Sequence, residues 1–168
     1  MIPIAINLSA VQFKQKNLVE EIAARLQEHG VSGEMIELEL TESLFLEDVT
    51  AMTRTLRRLK DLGVRLAVDD FATGYSSLSY LKRYPIDKVK IDRSFVRDIP
   101  RDSDDVAITV AIINLAASLK LSVVAESVET QEQAHFLEEH QCDFLQGDHI
   151  SRPLDAKDVL HWLKRRHG

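Results

Sequence analysis

Cysteine is almost absent: Cys142 stands alone in 168 residues. No intrachain disulfide can form, and a reducing, cytoplasmic setting fits such a chain. A basic excess is also lacking, since 21 lysines and arginines face 27 aspartates and glutamates for a net charge of −6. Proteins that grip duplex nucleic acid or an anionic membrane need a positive face. Both partners are therefore excluded as expectations, whereas a small phosphate ligand held through metal ions is not. No apolar run approaches the roughly 20 residues of a membrane span. The opening MIPIAINLSA carries neither the basic start nor the cleavage site of a signal peptide. Low-complexity linkers and charge blocks are missing, so one domain is expected, long enough for a real core. The six histidines show no metal spacing such as H-E-x-x-H and read as surface or partly packed groups.

What is present is a regular alternation. Short β-rich runs occur at 2–8, 35–40, 64–70, 87–92, 121–127 and 142–147. Helical patterns lie between them. Leu18, Ile22 and Leu26 mark one that Gly30 stops; Val49, Met52, Leu56 and Leu59 mark another that Gly63 stops. Others fall near 76–83, 104–119, 130–140 and 155–166, with Ser76 or Ser77 near the cap of the first. Asp104 and Asp105 suit the positive end of their helix dipole. Strict strand–helix alternation predicts parallel strands joined by right-handed crossovers, in six βα units.

Period two along the strands separates two faces. Ile36, Leu38 and Leu40 oppose Glu37 and Glu39. Val64, Leu66 and Val68 oppose Arg65, Ala67 and Asp69. Val89 and Ile91 oppose Lys88, Lys90 and Asp92, and Ile4, Ile6 and Leu8 oppose Ala5 and Asn7. An open antiparallel sheet with one wet face would alternate in the same way. In a parallel barrel the apolar face meets the outer helices, and the polar face enters a lumen whose C-terminal mouth carries the active site. Asn7, Glu39, Asp69, Lys90, Glu126 and Gln146 then end six different strands, separated by 32, 30, 21, 36 and 20 residues, about one βα unit each. Three carboxylates gathered so closely, with Asp70 beside them, repel one another, and burying them unpaired costs several kcal/mol per ion. Divalent cations remove the conflict. An all-oxygen set suits Mg²⁺ or Mn²⁺ rather than zinc, and two such ions are a common device for hydrolysing phosphate esters. By itself, the adjacent pair Asp69–Asp70 reads more readily as a helix N-cap than as a metal site.

The stretches AINLSAVQF, IELELTESL, VDDFATGYSSLSYLKRYPIDKVKIDRSFVRDI, VVAESVETQEQ and LQGDHISRPL resemble, in order and spacing, the EAL family of cyclic-di-GMP phosphodiesterases. The resemblance covers nearly the whole chain. It implies an incomplete (β/α) TIM-type barrel of about six of eight βα units, with residues 1–168 as the C-terminal two-thirds of one EAL-type domain. It also implies two Mg²⁺ or Mn²⁺ ions and cleavage of cyclic-di-GMP to linear pGpG. Carried over by position, Asn7, Glu39 and Asp69 look like ligands of a first metal. Asp69 would bridge to a second, held also by Asp70 and Glu126. Lys90 resembles the residue that orients or deprotonates the attacking water; beside two cations its charged form should be disfavoured. Gln146 resembles the water-positioning glutamine, Glu42 the glutamate that holds the loop after Asp70, and Glu129 an acid just outside the metal ligands. Trp162 and the terminal KRRHG read as packing and a solvated tail. Arg93 and Arg97 read as surface ion pairs or phosphate contacts.

Departures from the family pattern set further expectations. No Glu-Ala-Leu tripeptide occurs, and its glutamate is a first-metal ligand in the family. Two strands and their helices are expected to be missing, leaving the strands of Asn7 and Gln146 as bare edges and apolar helix faces uncovered. Self-association, or attached regulatory domains in a longer parent chain, is the expected consequence. Activity in the isolated chain is expected to be impaired. A catalytically inactive cyclic-di-GMP-binding or protein-interaction module is the alternative. Ala72 and Ser127 stand where the family usually has glycine, and Asp148 where it has tyrosine. A positive φ at residue 72 would make that alanine a point of strain.

Overall fold

A computed structural model describes residues 2–46, 49–74 and 79–167. Six strands form one sheet: β1 (Ile4–Asn7), β2 (Ile36–Thr41), β3 (Arg65–Phe71), β4 (Lys88–Ile91), β5 (Ser122–Ala125) and β6 (Phe144–Leu145). Neighbours in sequence are neighbours in space, every pairing is parallel, and β1 and β6 are the two edges. The result is a parallel curl, half-way to a barrel, with helices over its outer face.

The main crossovers are α2 (Leu18–His29), α3 (Val49–Asp61), α6 (Ser103–Leu119) and α7 (Gln131–Glu139), and α8 (Ala156–His167) ends the chain. Three further helices are single turns at the ends of strands or loops: α1 (Ala10–Phe13), α4 (Ser79–Arg83) and α5 (Arg93–Val96). The pattern near 76–83 announces α4, whereas the single turns α1 and α5 leave no apolar period to read. The proposed cap at Ser76 or Ser77 lies outside the described residues.

Local chemistry sets the boundaries. α2 stops at Gly30, whose φ of 61° is the left-handed turn that glycine accepts without strain. Asp102 caps α6 by accepting from the N–H groups of Asp104 and Asp105, and Thr130 and Gln133 form a reciprocal capping box on α7. Leu56 and Leu59 of α3, Ile112 and Ala116 of α6 and Leu137 of α7 are buried, as are Leu40, Leu66, Val68, Val89, Ile91 and Val123 from the outward sheet face. This core makes one continuous layer between sheet and helices. At the β1 edge the same outward face is bare: Ile4 and Ile6 are exposed. Among the described residues no helix is long and apolar enough to cross a membrane.

Candidate metal centre

The inward face of the sheet carries its charges in two layers. In the lower layer Lys88 Nζ lies 2.7 Å from Glu37 Oε2 and sits over the Phe144 ring at 4.7 Å. In the upper layer Lys90 Nζ lies 2.7 Å from Glu126 Oε1, 2.8 Å from Glu39 Oε2 and 3.0 Å from Asp69 Oδ1. β3 runs between β2 and β4, and its inward residue Ala67 is small and fully buried. Its register partners are Glu39 on β2 and Lys88 on β4.

Asp70 joins the upper layer by a route that alternation does not anticipate. Successive residues of a regular strand point to opposite faces, so Asp69 and Asp70 should part. The pairing of β3 with β4 slips between Val68 and Phe71, and Asp70 takes a left-handed φ of 53°. This bulge re-aims the side chain. Oxygens of Asp69, Asp70 and Glu126 consequently fall within 4.8 Å of one another. Thr73 steadies the turn by donating from its hydroxyl to the Asp70 carbonyl at 2.9 Å. Ala72 is also left-handed, with φ 71°. Such a conformation costs an L-residue of order 1–3 kcal/mol, so the alanine is a point of strain. Ser127, next to Glu126, is likewise left-handed at φ 53°.

Charge is badly out of balance in this layer. Burial works against the Lys90 ammonium, but its hydrogen bonds to Glu126 and Glu39 prevail and hold its pKa above the ordinary lysine value. The charged form is thus favoured among these acids. Burial pushes the Glu126 carboxyl up, and Asp69 and Glu39 add repulsion that Lys90 only partly offsets. Burial also raises Asp70, helped by the charges of Asp69 and Asp92. One lysine therefore serves four acids.

A divalent cation fits these residues. Asp69 Oδ1 is buried and makes no hydrogen bond, with the Lys90 ammonium 3.0 Å away as its ion-pair neighbour. A buried carboxylate whose oxygens gather with those of Asp70 and Glu126 is the donor that a hard cation takes.

The remaining sequence candidates divide into two groups. Glu42, on the 3-10 turn Glu42–Leu46 after β2, is buried. Its Oε2 accepts the Ala72 N–H at 3.1 Å and its Oε1 accepts the Tyr80 hydroxyl at 2.9 Å. Asn7, Glu129 and Gln146 are exposed, and Glu129 is not among the three acids whose oxygens gather. Asn7 pairs in register with Glu39. Glu129 donates its N–H to Gln133 Oε1 at 2.8 Å. Gln146 is stitched by its backbone to Ala125 and Val128, beside Gly147, where an added Cβ would come within 2.3 Å of Val128 backbone atoms. Arg97 pairs with Asp98 on the surface at 2.8 Å.

Two further residues belong to the site and were not singled out from the sequence. Asp92 reaches Asp70 side chain to side chain while capping α5 by accepting from Ser94. Although burial works the other way, these Ser94 bonds hold its carboxyl below the usual range. Its signal was parity, since it shares the inward face of Lys88 and Lys90. Tyr80 had no such signal: it lies on a five-residue helix and meets Glu42 only through tertiary contact.

A family model described as the EAL domain matches residues 1–153. Cyclic di-GMP phosphodiesterase NbdA of Pseudomonas aeruginosa is 45% identical over 161 residues, which are 96% of this chain and 21% of that protein. The solved MucR phosphodiesterase in complex with c-di-GMP, from the same organism, superposes with a TM-score of 0.89 at 44% identity, over 94% of this chain and 64% of that one. Klebsiella pneumoniae BlrP1, solved with manganese and cyclic-di-GMP, gives a TM-score of 0.83 at 33% identity, over 90% of this chain and 39% of that one. The chain thus spans about a fifth of the length of the curated relative. With a family match over 153 of 168 residues and the same parallel curl in solved relatives, the chain belongs to the EAL domain family.

Proposed function

We propose that the mouth of the curl is the metal and substrate site of a cyclic-di-GMP phosphodiesterase domain, hydrolysing one phosphodiester bond to give linear pGpG. The observation that carries this reading is the buried Lys90 shared among Glu39, Asp69 and Glu126 while Asp69 Oδ1 has no hydrogen bond. A purely structural ion pair would need one acid, not three. Asn7, Glu39 and Asp69 would hold a first ion, and Asp69, Asp70 and Glu126 a second. Mg²⁺ or Mn²⁺ held there supplies positive charge to the phosphate oxygens at the reacting centre. Lys90 Nζ, set among these acids, would orient or deprotonate the attacking water. Gln146 steadies that water from the rim, Glu42 keeps the turn after Asp70 in place, and Glu129 supports the loop that follows Glu126.

The matched solved structures, one with c-di-GMP and one with manganese and cyclic-di-GMP, support the choice of ligand and metal class. A cytoplasmic setting belongs to the same reading, given one cysteine and a nucleotide substrate. So does self-association through the β1 edge, where Ile4 and Ile6 are exposed. Static light scattering should show mass rising with concentration, and a constant monomer mass would remove that part.

A second reading keeps the same mouth as a binding site without turnover. The chain would then bind cyclic-di-GMP without cleaving it. Chromatography of pGpG with Mn²⁺ separates the two. Slow turnover that Lys90→Ala and Asp69→Asn abolish supports the phosphodiesterase. Metal-dependent binding without turnover supports the binding module, and turnover that survives both substitutions discards the site.

A further inference from the structure

Tyr80 offers no ligand atom to the carboxylate group, yet two contacts tie it to that group. Its ring is buried and lies nearly parallel to Phe45, with centroids 5.0 Å apart and 9° between the planes. Phe45 also packs on Tyr84 at 5.4 Å. This stack fixes where the Tyr80 hydroxyl can sit. From there it donates to Glu42 Oε1 at 2.9 Å, while Glu42 Oε2 accepts the Ala72 N–H at 3.1 Å. Burial and the neighbouring Glu42 charge push the Tyr80 phenol up, so it remains a donor.

What Glu42 holds is a turn under strain. Asp70 and Ala72 are both left-handed without being glycine, and such residues persist only where their surroundings over-determine them. Asp69 and Asp70 sit at the start of this turn. A buried carboxylate can brace it only while its own rotamer and lone pairs are fixed, and a hydrogen bond to a charged acceptor is among the stronger ways to fix them. Tyr80, anchored in an aromatic stack, supplies that bond.

We propose that Tyr80 is a positioning residue for divalent-cation binding. Through Glu42 it keeps the 69–72 turn in the shape that aims Asp69 and Asp70 at one ion. This rests on the metal reading of the mouth given above, and adds to it a residue that lies outside the ligand set. Mg²⁺-like ions tolerate little departure from ideal coordination, so a turn that relaxes by a fraction of an ångström loses affinity even when every ligand is present.

The test is Mn²⁺ titration of the 168-residue chain, followed by the electron paramagnetic resonance signal of free Mn²⁺. The variants are Tyr80→Phe, Glu42→Gln, the two together, and Asp69→Asn. Tyr80→Phe removes one oxygen and keeps the ring, and near-ultraviolet circular dichroism checks that the stack survives. Tyr80→Phe should weaken Mn²⁺ binding about 10–100-fold, the usual cost of losing a partner that orients a metal ligand. The double variant should bind no more weakly than Glu42→Gln alone, since both act in one chain of contacts. Unchanged affinity in Tyr80→Phe, with affinity lost in Asp69→Asn, would overturn the role of Tyr80 and leave the metal site standing. Losses that add in the double variant would also overturn it, because Tyr80 would then not act through Glu42. If Tyr80→Phe loses the stack, Glu42→Gln decides: full Mn²⁺ affinity there overturns the proposal. No Mn²⁺ binding by the unaltered chain, or binding that Asp69→Asn leaves intact, overturns the metal reading and the proposal with it.

Discussion

Lys88 and Lys90 stand two residues apart on β4, point into the same lumen, and keep different company. Lys88 has one acid, Glu37, and an aromatic face. Lys90 has Glu39, Asp69 and Glu126 within 3.0 Å, with Asp70 beside them. The lower layer is electrically balanced and resembles the filled interior of any small barrel. The upper layer has more buried negative charge than its lysine can match. Folding alone gives no reason to maintain that surplus, because replacing buried ion pairs by well-packed apolar groups is often neutral or stabilising. The imbalance therefore separates a binding site from a packing solution along a single pair of strands.

The largest expected effect comes from removing the atom at the centre of the imbalance. Asp69→Asn should reduce Mn²⁺ affinity at least 100-fold in a titration, while circular dichroism shows the fold kept. Calorimetry should in parallel show Mn²⁺ at 100 times its dissociation constant stabilising the unaltered chain by about 2.7 kcal/mol and, at the same concentration, the variant by about 0.4 kcal/mol or less. If the two chains respond alike, the upper layer is no more a cation site than the lower.

Lys90→Ala comes next. It leaves three acids facing one another without their shared cation, a change that in buried pairs costs about 3–5 kcal/mol. For a chain of this length the melting temperature should fall by roughly 6–20 °C. Saturating Mn²⁺ should recover part of that loss, since a cation replaces the ammonium. A melting point unmoved by the substitution would mean that the carboxylates are solvated or protonated rather than held by Lys90.

The sharper comparison is the same surgery below. Replacing Glu37 and Lys88 together by Met should leave stability unchanged or raise it by about 1–4 kcal/mol, with Mn²⁺ affinity as before. Loss of Mn²⁺ binding in that double variant would show the two layers to be coupled, and the contrast between them would fail.

The smallest effect concerns the turn that follows Asp70. Ala72→Gly removes the left-handed penalty on an alanine, about 1–2 kcal/mol for an L-residue, against some added freedom in the unfolded chain. A net gain of about 1 kcal/mol, or roughly 2–4 °C in melting temperature, is expected by differential scanning calorimetry. A loss would mean that the alanine methyl packs usefully.

Much of this was legible without coordinates. Alternation of strands and helices implies the parallel order, and period two places Glu37, Glu39, Lys88, Lys90 and Asp92 on one face, because side-chain direction follows directly from residue parity in a regular strand. Regularity is also where that reasoning ends. Asp70 enters the cluster only through a bulge and a left-handed φ, and neither leaves a trace in hydrophobic pattern. Tyr80 reaches Glu42 across 38 residues by tertiary packing alone, which no local window of sequence contains. Strand, parity and charge are properties of neighbours along the chain, so the sequence by itself determined which residues of the regular strands line the lumen. Which of their oxygens lack a partner, and which acids share one lysine, depend on distances between strands far apart in the chain. Only the folded sheet decided those.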